Sequence, residues 1–120
     1  MARPRTFDEV DVLSKARQLF AAQGYNGTSI DDLVRVTGLL RGSLYKAFAS
    51  KRNLFEMVLA DAAKNFEPNG INLDLLTVAL KDLAANDRQI SNLCRQIIGS
   101  KSDEFIKQLG SNLLKKMKEK

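Results

Sequence analysis

Histidine is absent from this 120-residue chain. That absence removes the commonest general base, the base of nucleophilic triads and the usual zinc ligand together. No glycine-rich phosphate loop of the nucleotide-binding kinds occurs, and no pair of carboxylates stands out from solvated helix faces. Catalysis is therefore not expected, and neither is a cofactor or a metal. The single cysteine, Cys94, allows no internal disulfide and suits a cytoplasmic setting. It falls in the apolar pattern Ile90, Leu93, Cys94, Ile97, which predicts a buried, inert thiol. No stretch approaches the roughly 20 apolar residues of a membrane span. The first six residues lack the apolar run of a signal peptide, so no membrane partner is expected. The alternating pattern of strands is missing too.

What is present is apolar residues at helical spacing and an uneven distribution of charge. Hydrophobic residues make up 44% of the chain, enough to build a core, and the net charge is +5. The surplus sits early: residues 1–55 hold nine Lys/Arg against five Asp/Glu, and residues 56–120 hold ten against nine. Between Leu33 and Phe55 there are five basic residues (Arg35, Arg41, Lys46, Lys51, Arg52) and no acidic one. Basic charge on a short two-helix hairpin matches what a phosphate backbone demands of a groove-reading module.

The periodicity predicts a helix from Phe7 to Gln23 with Val12, Leu13, Ala16, Leu19 and Phe20 in one stripe. Thr6 is its expected N-cap, with Glu9 completing a capping box. Gly24 ends it, and Thr28 or Ser29 caps a second helix that Gly38 closes. A third runs from about Leu40 to Phe48 on Leu44 and Phe48. A fourth, capped by Ser50, continues to about Phe66. After the break at 67–70 come patterns over Leu73–Ala85, Arg88–Ile98 and Asp103–Lys118, the last capped by Ser102. The expected fold class is all-α. Residues 1–50 form a three-helix helix-turn-helix domain. Residues 51–120 form a linking helix and a small helical region for effector binding or dimerisation.

The exposed side of the third helix carries Arg41, Gly42, Ser43, Tyr45 and Lys46. Gly42 inside so short a helix costs about 0.8–1 kcal/mol relative to alanine, an expense that close backbone approach by DNA would explain. Lys51 and Arg52 oppose the dipole of the fourth helix. A phosphate at that helix end would reverse the penalty; extension of both side chains into water would screen it.

The segment Phe20-Ala-Ala-Gln-Gly-Tyr-Asn-Gly-Thr-Ser-Ile-Asp-Asp-Leu33, then Gly38, Arg41-Gly-Ser-Leu-Tyr-Lys-Ala-Phe-Ala-Ser-Lys51 and Leu54-Phe55, resembles the DNA-binding domain of TetR/AcrR-type transcriptional repressors over about residues 7–60. The resemblance implies that Thr28 sits at the start of the second helix and hydrogen-bonds a phosphate, with its neighbour Ser29 also at the DNA. It also implies that Tyr45 directs its hydroxyl to the DNA backbone and that Lys51 meets a phosphate at the start of the fourth helix. Arg41, Ser43 and Lys46 are the candidates for base edges, beside Gly42, and Arg3 and Arg5 for a minor-groove arm. One position departs from the family pattern. Leu40 stands where a small polar residue usually caps the third helix, and it either touches a thymine methyl or packs on the first helix.

Members of that family typically run well beyond 120 residues, with a small-molecule pocket and a four-helix dimer interface. Neither is legible here. An effector pocket would be lined from residues between Phe66 and Leu109. The stripe Phe105, Ile106, Leu109, Leu113, Leu114 and Met117 covers the chain's own small core or, in a homodimer, a partner copy. The expected function is a sequence-specific regulator of transcription, a repressor binding double-stranded DNA. The alternative is a DNA-independent helical interaction module that keeps the fold.

Overall fold

The computed structural model describes residues 7–99, 101 and 103–118, and among them every regular element is helical. Helix α1 spans Glu9–Gln23, α2 Ile30–Thr37, α3 Arg41–Phe48 and α4 Lys51–Lys64. Helix α5 spans Gly70–Asp82, and a single 3₁₀ turn, Ala84–Asn86, leads into α6 (Arg88–Gly99) and then α7 (Asp103–Lys118).

Local chemistry sets the helix ends. Asp8, two residues later than expected, caps α1 by accepting from the Val10 N–H at 3.0 Å. Thr6, the expected cap, lies outside the described residues, as does Ser102 before α7. Of the two candidates for α2, Ser29 is the cap. Its hydroxyl accepts from Asp32 N–H at 3.0 Å, and the Asp32 carboxylate accepts from Ser29 N–H at 3.0 Å, a closed capping box. Gly38 takes the left-handed conformation that ends α2. Ser50 caps α4, whose last residue is Lys64, two short of the expected end. Asn69 caps α5 at Gly70, three residues before the sequence pattern suggests.

The core is one continuous cluster. Val12, Ala16 and Phe20 of α1 meet Leu33 of α2, Leu44 and Phe48 of α3, and Leu54, Phe55 and Leu59 of α4. Leu75, Leu76 and Ala79 of α5, Ile90, Cys94 and Ile97 of α6, and Phe105 and Leu109 of α7 complete it. Helix α1 lies against α2, α4 and α5, while α5 also packs on α6 and α7. Burial pushes the Cys94 thiol up to about 11, far from the thiolate a redox sensor requires. The hollow beside Phe66 is an open surface groove of about 560 Å³ that also touches Ala63, Leu93, Ile97 and Lys101.

Candidate nucleic-acid interface

Helix α3 buries Leu44 and Phe48 and turns its other sides to water. Arg41, Gly42, Tyr45 and Lys46 are exposed, Tyr45 by 45%, and Ser43 is half-buried. The packing of α3 is on α2 and α4, which leaves this side open. Gly42 faces open space, because a Cβ built there meets nothing within 4 Å. The fold therefore does not need a glycine at this position.

Leu40 occupies the N-cap of α3 without a side-chain hydrogen bond. It is 76% exposed, so it does not pack on α1. Leu39 is the residue that turns inward, against the core. Downstream of α3, Ala49 adopts φ 73° and ψ −46° while the Ser50 N–H donates to the Phe48 carbonyl at 2.8 Å. This is the rare γ-turn of positive φ, and it strains a residue with a Cβ.

The acid-free stretch is less positive in space than along the chain. Arg35 pairs with Asp32 at 3.1 Å, and Arg41 pairs with Asp31. Arg52 binds both oxygens of Asp87 at 2.7 Å and also reaches Glu56. The Asp87 contacts raise the Arg52 pKa further above its ordinary value. Asp32 is held well below the usual carboxylate range, first by the Ser29 N–H and then by Arg35 and Gln23. Among the described residues, Lys46 makes neither an ion pair nor a hydrogen bond, and it remains an unspent cation on α3.

Two residues expected at phosphates are turned elsewhere. Thr28 is only 1% exposed, and its hydroxyl donates to the Gly24 carbonyl at 2.6 Å. That bond closes the end of α1 and leaves the hydroxyl without a proton for a phosphate. Lys51 donates to the carbonyls of Tyr25 at 3.0 Å and Thr28 at 2.9 Å, with its ammonium 4.2 Å from the Tyr25 ring centre. Desolvation lowers its pKa, partly offset by Asp82. Ser29 remains exposed; its hydroxyl accepts from α2 and keeps its own proton. Arg3 and Arg5 lie outside the described residues.

Residues 12–58, which span α1 to α4, match the family model of bacterial regulatory proteins of the tetR family. Residues 12–58 are thus similar to the helix-turn-helix domain of that family. The chain is 46% identical over 57 residues to the HTH-type transcriptional repressor ComR of Escherichia coli K12, covering 48% of this chain and 27% of ComR. It is 39% identical over 57 residues to the HTH-type transcriptional repressor BdcR of the same organism, covering 48% of this chain and 29% of BdcR. The chain thus matches little more than a quarter of the length of these curated relatives. The crystal structure of PfmR, a TetR family transcriptional regulator from Thermus thermophilus, aligns with 89% of this chain and 63% of its own. The TM-score is 0.47 and the identity 23%, too distant for residue roles to be carried across. Among the described residues, no helix is long and apolar enough to cross a membrane.

Proposed function

We propose that this chain is a sequence-specific DNA-binding regulator, a repressor that lays α3 in the major groove. The observation that carries the reading is the open side of α3, where Arg41, Gly42, Tyr45 and Lys46 are exposed, with the half-buried Ser43 among them and the exposed Leu40 alongside. Arg41 is the base reader. Its pair with Asp31 is exposed on both sides, and such pairs are worth only about 0–1 kcal/mol, so a guanine edge competes with it readily. Lys46 and the Tyr45 hydroxyl serve phosphates, and so does Ser29 at the start of α2. Thr28 and Lys51 are left out of the proposed contact set, because the Thr28 hydroxyl donates its proton to the Gly24 carbonyl and Lys51 uses two of its three N–H donors on the Tyr25 and Thr28 carbonyls.

The division of labour follows the chain: residues 1–50 read DNA, and residues 51–120 link and support. A second copy of the chain is proposed along α7, where Ile106, Leu114 and Met117 are exposed beside the buried Phe105 and Leu109. Two copies would bring two hairpins to half-sites about 34–36 Å apart.

Selection of duplexes from a random pool tests the reading. The protein should enrich a defined sequence, and Arg41→Ala should relax the preference at one base position by about 1–3 kcal/mol. Enrichment of no sequence would favour the interaction-module alternative.

A further inference from the structure

The turn from which the α2–α3 hairpin departs is gripped from two sides by residues far along the chain. Asp82, the last residue of α5, accepts from the backbone N–H of Tyr25 at 3.0 Å and of Asn26 at 3.4 Å. Its side chain is only 8% exposed, and its other oxygen takes the Lys81 ammonium at 2.9 Å. From α4, Lys51 donates to the carbonyls of Tyr25 and Thr28. Tyr25 is thereby held at its N–H by one helix and at its C=O by another. Its ring is fixed as well, stacked on Phe20 with centroids 6.0 Å apart and edge-on to Phe55 at 5.4 Å.

The Asp82 carboxylate, only 8% exposed, needs donors of its own, but the turn does not need all of these bonds for itself. Asn26 is exposed, so water could serve its N–H. The Tyr25 carbonyl already accepts from the Thr28 N–H at 3.2 Å before Lys51 adds its bond. What the extra bonds supply is direction: they fix where the turn points, and with it the capping residue Ser29 that starts α2. Gly24 makes room for the grip. It has φ +82°, and a Cβ there would lie 3.3 Å from the Asp82 carboxylate.

We propose that Asp82 is a positioning residue for DNA reading, and that Lys51 works with it as a clamp on the α1–α2 turn instead of as a phosphate contact. The end of α5 thereby sets the aim of α3 through the turn. This rests on the DNA-reading function proposed above.

The test uses the full chain, a duplex that the wild type has selected from a random pool, and an unrelated duplex of equal length. Asp82→Ala should keep its affinity for the unrelated duplex while its preference for the selected one falls roughly two- to thirtyfold. Asp82→Asn, which retains one acceptor oxygen, should recover part of that preference. Lys51→Met should lose preference with an unchanged salt slope, whereas Lys46→Ala should reduce the slope by about one. A folded Asp82→Ala with undiminished preference overturns the proposal, and so does a Lys51→Met that lowers the slope as Lys46→Ala does. Should Asp82→Ala fail to fold, Asp82→Asn decides. Faster amide exchange at Tyr25 and Asn26 together with weakened preference supports the clamp, and unchanged preference overturns it. A wild type that binds no duplex ends the DNA-reading function itself, before any variant is compared.

Discussion

Arg52 and Asp87 are joined by two parallel hydrogen bonds of 2.7 Å, Nε to one carboxylate oxygen and Nη2 to the other. The same carboxylate accepts from the Ile90 N–H at 3.2 Å, so it also caps α6. One side chain thus ties the first turn of α4 to the start of α6. Asp87→Ala should destabilise the fold by about 1.5–3 kcal/mol, the range for hydrogen bonds to charged groups, with Asp87→Asn intermediate. Urea unfolding of the three proteins checks this.

Acid should loosen the same joint. Asp87 lies below its ordinary value, chiefly through the Arg52 hydrogen bonds, and Asp32 lies well below it through the Ser29 N–H. A carboxylate depressed in the folded state contributes stability that is fully present above its unfolded value, about 3.9. That contribution is lost as pH falls through the lower folded value. Thermal melts between about pH 6 and the acid limit, roughly pH 2, should therefore show melting temperature falling below about pH 4. Asp87→Asn and Asp32→Asn should each make the fall shallower.

The γ-turn at Ala49 gives a change with the opposite sign. A positive-φ conformation of this kind costs an L-residue roughly 1–2 kcal/mol, which glycine avoids; glycine's own entropy offsets part of the gain. Ala49→Gly should stabilise the protein by about 0.5–1 kcal/mol, read as a higher urea midpoint with an unchanged slope.

Stability and recognition should part company at Gly42. Because a Cβ there meets open space, Gly42→Ala should add about 0.8–1 kcal/mol to stability through helix propensity. The same methyl stands on the side proposed to meet DNA, so duplex affinity should drop. A variant that gains stability and keeps full affinity would show that no close approach occurs at this position. Leu40→Ser, which supplies the missing cap, should likewise stabilise α3 by about 0.5–2 kcal/mol.

The helices were legible because their signals are local. Apolar spacing and caps such as Ser29 and Ser50 lie within a few residues of what they control. The outward side of α3 was legible for the same reason, since Leu44 and Phe48 claim the inner side and leave Arg41, Tyr45 and Lys46 outside. Long-range partners were not. The partners of Arg52 and Lys51 depend on packing that brings Asp87 beside α4 and the Tyr25 turn under the Lys51 ammonium. An acid-free stretch of sequence therefore overstated the free positive charge. The bond made by Thr28 was hidden for a related reason: its hydroxyl can serve either a phosphate or a carbonyl four residues back, and the geometry of the α1 end brings it to Gly24.

Titration of duplex binding against salt, by fluorescence anisotropy on the full chain, puts the open side of α3 to its most direct trial. Affinity should fall steeply and linearly in log–log form as salt rises, and Lys46→Ala should make the line less steep by about one. Absence of duplex binding even at low salt, or a slope that Lys46→Ala leaves untouched, would contradict DNA reading by this helix.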